Sequence, residues 1–578
     1  MNIYNILREE IVKYVQNTYD GVDVSQIVVE SPKDAFNGDL SSNAAMVLAS
    51  KVNEKPREIA IKIKEELLKH PYIVHVEIAG PGFLNFTIQS SVWQNNILDI
   101  VKQGSKYGFN NIGKKRKVNI EYVSANPTGP MHIGHARGAV YGDVLANLLS
   151  SCGYDVTKEY YINDAGSQIN TLMRTALLRY REIATDEKID IPEGLYPGEY
   201  LIPVGKKLYE LHGDKLLLIE EKESFKLIKE FVLKEMLDII KADLLEMGIK
   251  HDVFFSEASL HNDNNNKITT AIKKLEDRGL IYKGILPPPK GKVQEDWQSK
   301  EQLLFKSTSF GDDQDRPLQK GDGEWSYFAS DIAYAEDKIE RKFDYIVVVL
   351  GADHSGYAKR MEAVIEALSD GKVQSDIKLC QLVNYLEKGE LVKMSKRAGT
   401  FTTVRDVLEE VGKDIVRFIM LTRKNDISMD FDLDKVKEQS KDNPVFYVNY
   451  AYVRALSIMK NAIETFPNAY KIFQGRSVDL SILSGEEEIQ LMKLLASWPK
   501  ILEGAATHFE PHRVAFYLQN LAASFHALWN LGKENNDYRF LVEDDDQLTG
   551  ARLMLVEAVK SIIHAGLDVI GVEPMEKM

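Results

Sequence analysis

The chain has 578 residues, of which 44% are hydrophobic and 27% charged, and its 72 basic against 86 acidic side chains leave a net charge of −14. One core holds ~100–200 residues, so this length implies three to five structural units, and the composition excludes a disordered or low-complexity protein. The acidic excess excludes a surface uniformly coated in positive charge for nucleic acid, but leaves room for one basic face; the run Lys114, Lys115, Arg116, Lys117, taken alone, reads as a solvated turn.

The opening MNIYNILREEIVKYV mixes charges with apolar positions at helical spacing, unlike the uninterrupted apolar stretch of a secretory leader, so a cytoplasmic location is expected. Helical segments followed by the strand-like VHVEIAGPGFLNFTI make residues 1–112 a small N-terminal α+β domain. From Lys117 the pattern becomes a strand (KVNIEYV), a Pro/Gly loop (SANPTGPMHIGH), a helix from about Ala136 to Ser151 closed by Gly153, and a second strand (VTKEYYI). Strand, crossover helix and strand imply a parallel sheet whose ligands sit at the carboxyl ends of its strands, so residues 113–405 are expected to form a Rossmann-like α/β domain. Its second half shows a helix from about Ser330 to Arg341, the strand YIVVVL and a helix around Lys359 to Leu368, with a charged helical insertion at about 175–275 between the halves. Over 406–578, stripes such as Val448, Ala451, Tyr452, Ala455, Ile458 and Met459, or Val514, Leu518, Leu521 and Phe525, predict an all-α helical bundle.

Apolar runs such as Tyr345 to Leu350 fall far short of the ~20 residues that a membrane helix needs, and no membrane association is expected. Two cysteines, Cys152 and Cys380, are too few for a disulfide framework or a thiolate zinc site, so neither zinc nor another resident metal is expected.

Two segments concentrate the chemistry. His132-Ile133-Gly134-His135 stands where a helix leaves the first strand. There, unpaired N–H groups and the helix dipole favour an anion, Gly134 allows close backbone approach, and two imidazoles three residues apart can address one phosphate. Far downstream, Lys393-Met394-Ser395-Lys396-Arg397 beside Gly399 is a dense positive cluster suited to a triphosphate. Either alone is ordinary surface. Together, at the edges of two α/β halves, they resemble the HIGH and KMSKS signatures of class I aminoacyl-tRNA synthetases.

The resemblance narrows with EYVSANPTGPMHIGHARGAVYGDVLANLL, FGDDQDRPL, YFASDIAY, LGADHSGY, VKMSKRAGTFTTVRD and DFDLDKVKEQSKDNPVFYV, which are similar to bacterial arginyl-tRNA synthetases along essentially the whole chain. It implies an ATP-dependent ligase that forms arginyl-adenylate and passes the arginyl group to the 3′ end of tRNA(Arg), with Mg²⁺ accompanying ATP and with arginine, ATP and tRNA as partners of a monomer. His132, His135, Lys393 and Lys396 would then act on the phosphates, and Gly134, Gly351, Asp353, His354, Met394 and Ser395 would complete the ATP site. Arginine offers five N–H donors and no acceptor, so its pocket must be acidic. By the same resemblance Glu121, Asn126, Glu257, Tyr327 and Asp331 line it, while Phe83 and Asn85 meet the tRNA D-loop and Tyr447 and Tyr450 its anticodon end. NYAYVRA at 449–455 departs from the usual QYAHAR, and Ala335 stands where a His often follows DIAY.

Cysteinyl enzymes need a zinc set that two cysteines cannot supply, and the valine, isoleucine and leucine enzymes carry larger insertions. A small nucleotidyltransferase would leave both terminal domains without a purpose. The remaining alternative, a catalytically weak synthetase-like protein that only binds tRNA, should show decay in the phosphate motifs or the acidic pocket, and none is present.

Overall fold

The computed structural model describes residues 2–578 apart from 33–36, 167, 262–265, 287–300, 321–322, 393–401, 441 and 477. Near the N-terminus, helix Ile3–Thr18 is started by Asn2, whose side chain accepts from the Asn5 N–H. With helices Ala44–Val52 and Pro56–Leu67 it covers an antiparallel sheet ordered Val29–Glu30, Leu40–Ser42, Phe83–Ile88, Ile73–Ala79. Leu7, Ile11, Ile59, Ile63, Leu84 and Phe86 are fully buried between the layers, as the α+β reading requires.

The central sheet has five strands, all parallel, in the spatial order Gln374–Cys380, Tyr345–Gly351, Lys117–Glu121, Asp155–Ile162, Val253–Ser256. Chain order therefore runs outward in one direction from Lys117–Glu121 and then returns to its other side. That reversal opens a crevice between the carboxyl ends of Lys117–Glu121 and Tyr345–Gly351, where doubly wound sheets bind ligands. Helix Ile133–Ser151 packs across the sheet through Val140, Val144, Leu145, Leu148 and Leu149, all buried, and Gly153 beyond its end has φ +81°.

Two stretches differ from expectation. The insertion is helical through Gln168–Thr185, Ile202–His212 and Glu221–Glu246, but Val253–Ser256, inside the range expected to be helical, is the outer strand of the parallel sheet. Four partly buried residues a short turn after a 26-residue helix give too short a pattern to stand out. Likewise Met429–Asp432, in a region read as helix, is a strand pairing in parallel with Val383–Glu387.

The helices Pro444–Thr465, Pro467–Gly475, Glu486–Ala496 and His512–Glu534 pack around Asp546–Ile570, which is buried on nearly every side and so forms the middle of the bundle, while Trp498–Thr507 packs outside on His512–Glu534. Val448, Ala451, Ala455, Val514, Leu518, Leu521 and Phe525 all face inward. The bundle reaches both other units: Trp498 Nε1 donates to the Tyr107 carbonyl at 2.9 Å and Tyr141 Oη to the Phe509 carbonyl at 2.6 Å. Buried Arg417 ties the bundle to the catalytic unit at one point, donating to the Ile570 carbonyl, to the Met247 carbonyl after the insertion helix, and to Asp143 on the helix Ile133–Ser151.

The basic run is a surface turn, with Lys114 and Lys115 at positive φ and their side chains exposed.

Candidate active site

His132 caps helix Ile133–Ser151, so the tetrapeptide forms the first helical turn itself rather than a loop ahead of a helix starting near Ala136. The His132 N–H donates to His135 Nδ1 at 3.3 Å, the His135 N–H donates to the His132 carbonyl at 2.8 Å, and the two rings stack with centroids 3.8 Å apart. A Cβ on Gly134 would stand 2.9 Å from the His132 ring, so only glycine lets that ring lie over the exposed helix start. The result is a positive helix end flanked by two imidazoles at the mouth of the crevice.

Lys393, Met394, Ser395 and Lys396 lie outside the described residues, but the chain on both sides of them is placed. The Val392 N–H donates to the Tyr385 carbonyl at 3.0 Å. On the other side Thr402 and Val404 pair with the residues around His132: Ile133 N to the Thr402 carbonyl at 3.4 Å and Val404 N to the Met131 carbonyl at 2.8 Å. The chain that leaves the second signature is thus joined by main-chain hydrogen bonds to the residues around His132, about 260 positions earlier. Gly351 ends the neighbouring strand Tyr345–Gly351 and Asp353 and His354 follow it, all three exposed at its carboxyl end, with His354 Nε2 3.6 Å from Asp353 Oδ2.

The loop from Glu121 to His132 is strained. Val123 and Ser124 have φ +70° and +40°, a region that a β-branched residue rarely enters and that costs about 1–3 kcal/mol per residue. Surrounding bonds hold it there: Ser124 Oγ donates to Glu121 Oε1 at 3.2 Å and accepts the Tyr161 N–H at 3.0 Å, while Tyr160 and Tyr200 donate to the carbonyls of Ala125 and Thr128. Asn126 Nδ2 donates to Gln168 Oε1 at 2.9 Å.

Three carboxylates converge behind this loop. Glu121 ends the first strand, Glu257 follows the outer strand Val253–Ser256, and Asp331 projects from helix Tyr327–Glu340. Along that helix Tyr327, Asp331, Tyr334 and Lys338 share one face at i, i+4, i+7 and i+11, descending from the 60%-exposed Tyr327 ring to the buried Lys338. Tyr327 therefore stands at the solvent-facing end of this row.

Burial raises the Asp331 carboxyl to about 7, reinforced by the charges of Glu257 and Glu121 and opposed by a hydrogen bond from Tyr357 and by Arg360. Glu257 is likewise raised by burial and receives a hydrogen bond from Tyr161. The phenols of Tyr161 and Tyr357 are held well above their ordinary range by burial beside these acids, so both remain donors. Lys338 Nζ lies 2.6 Å from Glu121 Oε2 and compensates one carboxylate; Glu257 and Asp331 are hydrogen-bonded by tyrosines, with Arg360 the cation that acts on Asp331, so three acids face two cations, a set matched to an incoming cation.

Tyr161, Tyr357, Lys338 and Arg360 were not found from sequence. Lys338 carried a usable signal, seven residues from Asp331 on the same helical face, whereas the tyrosines become neighbours only through the fold.

At the N-terminal sheet Phe83 is 42% exposed and shares a face with Asn85, which is buried and accepts from Ser41 Oγ at 2.8 Å. On helix Pro444–Thr465, Tyr450 is exposed with the Arg454 guanidinium 4.5 Å over its ring, and Arg454 also lies over Trp529. Tyr447 packs against His526 with the rings tilted, 4.6 Å between centroids. A cavity of about 350 Å³ adjoins Trp529, Lys533 and Arg539. The Asn449 and Tyr452 departures point inward, where Asn449 Oδ1 accepts the Met575 N–H, so they alter the core rather than this aromatic surface.

The model for the class I (R) tRNA synthetase catalytic domain matches residues 96–454, flanked by matches to the arginyl tRNA synthetase N-terminal domain over 5–88 and the DALR anticodon binding domain over 448–578. The chain is 60% identical to the arginine–tRNA ligase of Rickettsia bellii over 579 residues and 58% to that of Rickettsia akari, covering 100% of both chains in each case. The chain belongs to the arginyl-tRNA synthetases. The Thermus thermophilus arginyl-tRNA synthetase structure shares the fold, with a TM-score of 0.77 over 100% of both chains at 19% identity. As a class I synthetase, it has the parallel sheet expected of the catalytic unit, with a helical domain after it. No described helix is long and apolar enough to cross a membrane.

Proposed function

We propose that this chain is an arginine–tRNA ligase in which the crevice between Lys117–Glu121 and Tyr345–Gly351 holds ATP and the adjoining acidic pocket holds arginine. The observation that carries the reading is the meeting of Glu121, Glu257 and Asp331 at the start of the loop that leads to the His132–His135 helix start. A cationic side chain there would lie within reach of a bound triphosphate.

In the first step a carboxylate oxygen of arginine attacks the α-phosphorus of ATP and pyrophosphate leaves. In the second a terminal ribose hydroxyl of tRNA(Arg) attacks the arginyl carbonyl carbon and AMP leaves. No protein nucleophile is needed, so the protein contributes alignment and charge stabilisation. His132, His135 and the Gly134 backbone would hold phosphate oxygens, joined by Lys393, Met394, Ser395 and Lys396, while Gly351, Asp353 and His354 would line the opposite wall. Mg²⁺ enters only with the triphosphate, whose charge it offsets.

Asp331 and Glu257 would take the guanidinium, Tyr327 would cover it, and Glu121 and Asn126 would face the main-chain groups of arginine. Phe83 with Asn85, and Tyr447 with Tyr450, would present stacking and hydrogen-bonding groups to unpaired tRNA bases. One chain supplies every group named, which fits a cytoplasmic monomer. The intact phosphate motifs and acidic pocket favour this over a catalytically weak tRNA-binding protein.

The decisive assay charges tRNA with each amino acid separately; arginine should be incorporated above all others. Equal or absent incorporation of arginine would refute the specificity.

A further inference from the structure

Asp243 sits near the end of the insertion helix Glu221–Glu246, only 1% exposed, and no signature of the catalytic unit includes it. Its Oδ2 accepts the N–H of Met131, the residue before His132, at 3.3 Å. Its Oδ1 accepts both Nε and Nη2 of Arg405, at 3.1 and 2.8 Å. Arg405 stands in the first turn of helix Val404–Val411, immediately after the segment that follows Lys393–Arg397. One carboxylate thus grips the chain entering one phosphate motif and the chain leaving the other. The Val404 N–H to Met131 carbonyl bond, 2.8 Å, closes the same ring.

A buried carboxylate is retained at a cost unless its acceptor sites are filled, and here they are filled by those two motif-bearing segments. Arg405 also approaches Glu246 at 3.8 Å, but that pair is exposed and contributes little. The insertion touches the same loop a second time through Tyr200, whose hydroxyl donates to the Thr128 carbonyl at 2.7 Å.

We propose that Asp243 is a positioning residue for the ATP half of the reaction, fixing through Met131 and Arg405 the register between the His132–His135 turn and the chain that carries Lys393 and Lys396. This rests on the crevice being the ATP site. Asp243 touches no substrate; it sets the distance between the groups that do.

The test compares Asp243→Ala, Asp243→Asn, Arg405→Ala and Arg405→Lys with the unaltered full-length chain in tRNA-supported, arginine-dependent ATP–pyrophosphate exchange, alongside thermal melting. Asp243→Ala should lower kcat/KM for ATP by about 10²-fold, as misplacement of about 1 Å does, while KM for arginine stays within about twofold. Arg405→Lys should recover part of what Arg405→Ala loses, and the double alanine variant should be no worse than Asp243→Ala alone, because both act through one contact. Folded variants with unchanged ATP kinetics, or with ATP and arginine parameters falling in parallel with melting temperature, would overturn the proposal. Should Asp243→Ala not fold, Asp243→Asn, which keeps an acceptor for Met131 and loses the charge facing Arg405, decides by the same criterion. Failure of the unaltered chain to exchange pyrophosphate with arginine would instead refute the function itself.

Discussion

Lys338 Nζ lies 2.6 Å from Glu121 Oε2 at the bottom of the acidic pocket, with both side chains almost entirely withdrawn from solvent. Removing one member of such a pair strands a buried charge, which costs about 3–5 kcal/mol, whereas removing both is far milder. Lys338→Met should therefore lower unfolding stability by about that amount, and Lys338→Met with Glu121→Gln should recover most of it. Urea titration of the two variants and the unaltered chain measures both quantities; equal stability of the single and double variants would contradict the pairing.

Asp331→Ala should raise KM for arginine by upwards of about 30-fold, since a guanidinium left without its charged partner loses about 2–5 kcal/mol, while KM for ATP stays near its original value. Steady-state exchange kinetics at varied arginine and then varied ATP separate the two.

The same carboxyl predicts a pH dependence. Its value of about 7 in the free pocket means that it is largely protonated below neutrality, and a guanidinium requires it ionised. KM for arginine should accordingly rise about tenfold per unit as pH falls below 7, and flatten above it. For stability the sign is opposite: a carboxyl raised above its unfolded value favours the folded chain at low pH and penalises it as pH climbs through 7. Added arginine should therefore raise the melting temperature more at pH 8 than at pH 6, and Asp331→Asn should abolish that difference.

Phe83 and Tyr450 are exposed aromatics on separate units, so truncating either leaves the core intact. Phe83→Ala and Tyr450→Ala should each weaken tRNA binding by about 1–3 kcal/mol, the value of one base stack, without shifting the melting temperature. Filter binding or aminoacylation KM for tRNA checks this.

Much of this architecture was legible in sequence because its signals are local. A β-rich run, a Pro/Gly loop and an apolar helical face mark Lys117–Ser151, and period-3.6 stripes mark the C-terminal helices. Val253–Ser256 was not legible, since four residues carry too little periodicity, and with it went the reason Glu257 reaches the pocket. Tyr161, Tyr357 and Asp243 escaped for a different reason: their roles arise from contacts between elements far apart in the chain, which no window of sequence displays. Resemblance alone singled out Tyr327, and its exposure is set by its place as the first residue of helix Tyr327–Glu340.

The return of the chain to the open side of Lys117–Glu121 also governs how the protein is made. The N–H of Lys117 meets Asp344 across 227 positions, so a nascent chain presents that strand with one bare edge until Tyr345–Gly351 emerges. At ribosomal speeds of roughly 5–20 residues per second this lasts about 10–45 s. An unpaired parallel edge is a template for association with other chains, so the interval during translation, rather than the finished molecule, is where this fold is most exposed to aggregation and to chaperone capture.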